Sequence, residues 1–143
     1  IRKFQRKGGE FKKIVTSNNV IKSLHNIRWG KNRSEDFFNY LTYMNEKNLS
    51  ESFGLFMKDR LVAYIQMITT GDTIHYYYSI FDKEYKGAGS AIICYAIKDF
   101  IENKNLKIFS FGRGSERYKH RWSTNIIKNY ELRGFLKKVD QII

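Results

Sequence analysis

A glycine turn set between a run of strand formers and a long apolar-periodic stretch constrains this chain most. Residues 74–82 read Ile-His-Tyr-Tyr-Tyr-Ser-Ile-Phe-Asp, and the turn that follows is Lys86-Gly87-Ala88-Gly89-Ser90. Ile92, Ala96 and Phe100, with Ile93, Ile97 and Ile101, then recur at i, i+4 and predict a helix that Asn103 or Asn105 can end. Residues 107–111 read as a short buried strand. Two strands joined through a helix lie parallel. Upstream, strands at 53–58, 61–69 and 74–82 are linked at Asp59-Arg60 and Thr70-Gly71-Asp72, which is short enough for antiparallel hairpins. The result is an α/β sheet of mixed direction.

Helices precede that sheet. Val20, Leu24 and Ile27 space a helix over 20–29, and Ser34 is an N-cap followed by Glu35 and Asp36. Phe37, Phe38, Leu41 and Met44 mark one face of this second helix, which ends near Lys47. Residues 10–16 can form a short strand, and 125–133 a last one. Residues 1–9 are a basic extension that reads as the end of a preceding helix, and residues 10–143 as one domain.

With 143 residues, 42% hydrophobic and 16% aromatic, the chain has apolar side chains enough for a packed core. No apolar run approaches the ~18 residues of a membrane span, and no signal-peptide core is present. The single Cys94 reads as a buried, inert thiol. One cysteine excludes a disulfide within the chain and fits the reducing cytoplasm. The net charge of +12 is uneven: residues 1–33 hold ten Lys/Arg against Glu10 alone, and residues 113–138 hold eight against Glu116 and Glu131. This excess implies polyanionic company or a solvated basic surface. No His/Cys/Asp/Glu spacing looks like a metal site.

The segment Ser110-Phe111-Gly112-Arg113-Gly114-Ser115-Glu116-Arg117-Tyr118-Lys119-His120-Arg121-Trp122 resembles a signature of the GNAT acyltransferase superfamily. The branch is that of BioF2-like and CelD-like acetyltransferase domains, related to Fem-type peptidyltransferases; Ser110 stands where Asp is usual. Phe81-Asp82 followed by Gly87-Ala88-Gly89-Ser90 resembles a second segment of that branch, with Ala88 where Pro is usual. The superfamily's pyrophosphate turn has Gln or Arg where this chain has Glu84; Lys83 and Lys86 supply positive charge nearby. The resemblance implies a GNAT-like, mostly antiparallel central sheet with helices on both faces and a splay between the two central parallel strands. In this branch the domain often forms the second half of a tandem protein, which agrees with a chain opening on Ile1; a second GNAT-like half or a homodimer is the implied partner.

The resemblance also implies acetyl-CoA or another acyl-CoA as co-substrate, without a metal. Backbone near Ser79, Ile80 and Phe81 would hold pantetheine and the thioester oxygen. The N–H groups of Lys86, Gly87, Ala88, Gly89 and Ser90 would hold the pyrophosphate, although Gly87 and Gly89 also serve a plain tight turn. Tyr118 would protonate the leaving thiolate or else pack its ring; Glu116 and Asp82 are candidate bases, and Glu116 can equally pair with Arg113, Arg117 or Lys119. Arg113, Lys119 and Arg121 would bind an anionic acceptor or brace their loop. His75 and Tyr77, placed by alternation on one face with Ser79, can face the acceptor. The expected activity is N-acylation of a small-molecule or cell-envelope-precursor amine. The alternatives are a Fem-like transfer from aminoacyl-tRNA, a degenerate GNAT-fold binding module, and an RNA-binding domain on charge alone.

Overall fold

Turn chemistry explains the meander at the centre of the structure. The computed structural model describes residues 1–15, 17–30, 33–103, 106–112 and 116–126. Strand β2 (Glu51–Met57) reverses at Lys58 and Asp59, whose φ values of 49° and 64° are the left-handed pair of a two-residue hairpin. The turn lies one residue before the Asp59-Arg60 expected from the sequence, so Arg60 opens strand β3 (Arg60–Thr70). Gly71 (φ 58°) then admits strand β4 (Thr73–Phe81).

The remaining elements follow the sequence pattern closely. Helix α1 (Arg2–Gln5) is a single turn ahead of strand β1 (Gly9–Lys13). Helices α2 (Asn18–Trp29) and α3 (Glu35–Glu46) come next, and the Ser34 hydroxyl accepts the Phe37 N–H to cap α3. Helix α4 (Ala88–Asn103) leads to the short strand β5 (Ile108–Ser110). Strand order is β1-β2-β3-β4-β5, antiparallel except for the parallel β4/β5 pair. The parallel pair was expected in the centre of the sheet; among the described residues it forms one end. The strand expected over 125–133 lies almost wholly outside the described residues.

Each face of the sheet carries helices. On one, Ile21, Leu24, Phe38 and Leu41 of α2 and α3 pack with Leu61, Tyr64 and Ile80. Truncating such a residue to Ala costs about 2–5 kcal/mol. On the other, Tyr95 of α4 stacks on Phe11 at 4.8 Å and meets Phe53 edge-on at 5.5 Å. Cys94 on α4 is half-buried and not fully buried. Under α3 runs a buried polar chain. The Asn45 amide donates to Ser52 Oγ, which lies 2.8 Å from Tyr64 Oη. Tyr64 donates to Gln66 Oε1 at 2.9 Å, and Gln66 Nε2 donates to the Leu41 carbonyl at 2.8 Å and Ser50 Oγ at 2.6 Å. Burial pushes the Tyr64 phenol up to about 12, so it stays a donor.

Residues Ile1–Arg113 form one compact unit and Gly114–Ile143 a second. In the second, helix α5 (Arg117–His120) stands where the sequence predicted only a polar turn. Among the described residues no helix is long and apolar enough to cross a membrane.

Candidate functional site

Strand β4 has an open flank. Its nine residues meet β5 only through Thr73, Ile74 and His75, opposite Ile108, Phe109 and Ser110. From Tyr76 to Phe81 no described residue continues that ladder. A bulge helps open the gap: Gln66 faces Tyr78 and Met67 faces Tyr76, which leaves Tyr77 as an extra residue that bends the strand. On the other side β5 stops at Ser110, whose hydroxyl accepts the Gly112 N–H, with Gly112 at φ 70°.

The direction of the backbone groups follows from the ladder. Asp82 N–H donates to the Val62 carbonyl at 2.8 Å, so alternation turns the N–H and C=O of Ser79 and Phe81 away from β3, toward the open side. Ile80 supports that edge from behind: its side chain is buried against α2 and α3, and it pairs with Tyr64.

The bulge also corrects the expected facing of side chains. Strict alternation put His75, Tyr77 and Ser79 on one face. Instead the hydroxyls of Tyr76 and Ser79, three residues apart, hydrogen-bond to each other, so Ser79 has crossed to the face of Tyr76. Tyr77 stays exposed on the α3 side, its ring 6.5 Å from that of Tyr40. His75 sits at the closed end with Nε2 at 2.7 Å from Thr70 Oγ1. Phe111 places its ring 5.8 Å from Tyr76.

The turn after β4 is built around Asp82, a fully buried carboxylate. One oxygen binds the Arg60 guanidinium at 2.6 Å and the other accepts the Glu84 N–H at 3.0 Å. The carboxylate considered as a base from the sequence is thus committed to holding the turn. Tyr85 N–H donates to the Asp82 carbonyl, and the Tyr85 carbonyl takes the Ala88 N–H at 2.9 Å. Gly87, at φ 92°, then starts α4. Of the expected N–H donors, Ala88 is therefore already bonded, whereas Gly87, Gly89 and Ser90 meet no acceptor among the described residues. Those free N–H groups and the helix dipole suit an oxyanion. Glu84 is exposed and accepts from none of them; Lys83 and Lys86 are exposed beside it. Gly89 is required by packing, because a Cβ there would lie 2.6 Å from Phe81 Cδ1.

Residues the sequence reading passed over line the α2 side of this edge. His25 Nδ1 lies 2.9 Å from the Tyr78 hydroxyl, and burial raises the phenol well above its ordinary range. Burial, then the nearby Arg33 charge, lowers the His25 pKa. Three residues on, the Arg28 guanidinium lies over the ring of Trp29 at 4.6 Å and over that of Phe81 at 4.5 Å. His25 follows Ile21 and Leu24 on the apolar stripe of α2, the signal that marks it as inward-facing.

In the second unit Lys119 Nζ binds Glu116 at 2.8 Å, a hydrogen bond that lowers the Glu116 pKa. Tyr118 is partly exposed, at 37%, and Arg121 is exposed. Arg113 lies outside the described residues. Among the described residues no group of three or more His, Cys, Asp or Glu could hold a metal.

Residues 2–120 match the family described as the acetyltransferase (GNAT) domain. No curated protein sequence matches the chain. Among solved structures it is similar to a possible acetyltransferase from Clostridium difficile 630, with TM-score 0.70 and 14% identity over 86% of this chain and 95% of that one. It is also similar to the ribosomal-protein-alanine N-acetyltransferase from Brucella melitensis biovar Abortus 2308 (TM-score 0.63, 12% identity, 87% and 98% covered). A third neighbour is the PaiA N-acetyltransferase from Thermoplasma acidophilum in complex with coenzyme A (TM-score 0.54, 13% identity, 79% and 86% covered). With the family match spanning most of the sequence and the open β4 edge leading into the α4 turn, the chain belongs to the GNAT acetyltransferases, enzymes that take an acyl group from acyl-coenzyme A.

Proposed function

We propose that this chain transfers an acyl group, in the simplest case acetyl, from acyl-CoA to the amine of a small molecule or a cell-envelope precursor. The observation that carries this reading is the open flank of β4 running into free N–H groups at the start of α4. The outward-facing backbone of Ser79 and Phe81 would bond the pantetheine arm, and one of their N–H groups would stabilise the oxyanion, an effect of ~10²–10³-fold per donor. The N–H groups of Gly87, Gly89 and Ser90, with Lys83 and Lys86, would take the pyrophosphate. In the reaction the amine nitrogen bonds to the thioester carbonyl carbon and the carbon–sulfur bond breaks. We assign Tyr118 to protonate the departing thiolate, on its place seven residues beyond Phe111 in the motif. Glu116, anionic beside Lys119, would take the amine proton through water. The same motif supports the BioF2-like and CelD-like branch.

Binding and turnover test this reading together. Acetyl-CoA at about 100 times its Kd should stabilise the fold by about 2.7 kcal/mol. That corresponds to a rise in Tm of roughly 5–10 °C. A panel of amines should then release CoA thiol. No Tm shift with any acyl-CoA would overturn the proposal. A second reading, transfer from aminoacyl-tRNA, is favoured by the exposed Arg2, Lys3, Arg6 and Lys7, none in an ion pair among the described residues. It would gain if tRNA were retained in a salt-sensitive manner.

A further inference from the structure

We propose that Tyr40 and Tyr77 seat an ammonium group of the acceptor, and that the acceptor is an alkyl diamine or a longer polyamine; the inference rests on the acyl-transfer reading and gives its substrate class. Among the described residues of the first unit, the exposed aromatic rings are Trp29, Tyr40, Tyr43 and Tyr77. Two of them carry a cation of the chain itself, Arg28 over Trp29 at 4.6 Å and Lys47 over Tyr43 at 6.0 Å. Tyr40 and Tyr77 carry none among the described residues, and they are 45% and 44% exposed. Their rings meet edge-on, with centroids 6.5 Å apart and planes at 63°. That contact leaves at least one face of each ring unused by the other, and the face of a tyrosine ring attracts an ammonium. Asp36, one turn before Tyr40 on the same flank of α3, is exposed and in no ion pair among the described residues. Its neighbour Glu35 is taken by Lys22. Rings and carboxylate together favour a cation.

The location fits the acceptor and not the donor. Gly87, Gly89 and Ser90 follow the C-terminal end of β4, so a pantetheine arm laid along the open edge from there runs back from Phe81 toward Tyr76. That edge is about 16 Å long at the rise of a strand, and the thioester comes toward its Tyr77 end. The two ends also differ in face. Phe81 meets Gly89 of α4. Tyr76 joins that face through Phe111 and Phe109, whose ring meets Phe100 of α4 edge-on at 5.7 Å. The bulge turns Tyr77 to the opposite face, on the side of α3. The group held on the rings is not the one acylated. A ring face stabilises the charged form and opposes loss of its proton, whereas the attacking nitrogen must be neutral. An acceptor with a second amine meets both demands. The nearby cations Arg33 and Lys47 are seated on rings of their own, Phe37 at 4.8 Å and Tyr43 at 6.0 Å.

The test follows the ring resonances of Tyr40 and Tyr77 by ¹³C NMR, assigned by their loss in Tyr40→Leu and Tyr77→Leu. Putrescine, the longer spermidine, and γ-aminobutyrate, which has putrescine's chain length but ends in a carboxylate, are titrated separately, without and with saturating CoA. The expected result is a saturable shift of both rings with at least one polyamine, its persistence when CoA is bound, and binding of γ-aminobutyrate weaker by about tenfold or more. No saturable shift with either polyamine, equal affinity for γ-aminobutyrate, or abolition of the shift by CoA would overturn the proposal. Turnover adds a second arm. With acetyl-CoA, the KM for the polyamine should rise about tenfold in Tyr77→Leu and stay within about twofold in Tyr77→Phe, which keeps the ring face. An equal rise in both variants assigns the effect to the hydroxyl and sinks the idea. By calorimetry Tyr77→Leu should bind CoA within about twofold of the native chain, whereas about tenfold weakening assigns the ring to the donor and overturns the proposal too. If the native chain itself ignores CoA, the acyl-transfer reading fails in that same titration, while the ring resonances still report on the cation.

Discussion

Asp82 and Glu116 were both candidate bases, and their surroundings separate them. Asp82 is buried with both oxygens engaged, by Arg60 and by the Glu84 N–H. Removing its charge would loosen the turn that opens α4. Glu116 is exposed and paired with Lys119, which keeps it deprotonated at neutral pH and within reach of water. Tyr118 is the one phenol of the motif, and its proton is the quantity to test. Tyr118→Phe should lower kcat by about 10²-fold, the usual worth of a positioned acid. CoA affinity measured by calorimetry should stay unchanged. Unchanged kcat would remove Tyr118 from the chemistry.

Among the elements, strand β4 and helix α4 form the site together, and Gly89 is where they touch. In an ordinary helix Gly→Ala stabilises by up to about 1 kcal/mol. Here the new Cβ would press on the Phe81 ring at 2.6 Å, and the Arg28 cation lies over that ring's face. Overpacking of this kind costs about 1–3 kcal/mol. Gly89→Ala should therefore lower the urea midpoint with an unchanged m-value, and weaken CoA binding in parallel. A stabilised variant would show that Phe81 is free to move.

Which elements were legible in the sequence depends on whether local signals decide them. Helix α3 was, because Ser34, Glu35 and Asp36 mark its start and Phe38 and Leu41 its buried stripe. Helix α4 was, because its apolar residues recur at i, i+4. The bulge was not: three successive tyrosines carry no polar–apolar alternation to betray an extra residue at Tyr77. The hairpin register was missed by one residue because Lys58 is an unusual side chain at positive φ. Likewise the glycine turn advertised an anion site, but nothing local in the sequence announces that the Phe81 ring meets Arg28, a contact between distant segments.

For the whole molecule, pH acts through the packing of α2 on β4. His25 is buried, its pKa lowered first by desolvation and then by Arg33, so the folded state holds it neutral. The unfolded chain protonates it near pH ~6.5. Its contribution is complete above that value and is lost as pH falls from there toward the folded-state pKa. Urea midpoints should therefore decline below pH ~6.5, and His25→Gln should flatten that part of the decline. An equal slope in both proteins would place the proton uptake elsewhere.

The hydrogen-bonded chain from Asn45 through Ser52, Tyr64 and Gln66 to the Leu41 carbonyl has a geometric consequence for α3. Sliding the rod one turn along the sheet would strand a carbonyl and an amide in an apolar layer, so it has a single berth. Tyr40, one residue before Leu41, is delivered to the rim of the wedge beside Tyr77 by that mooring, with no attraction of its own required.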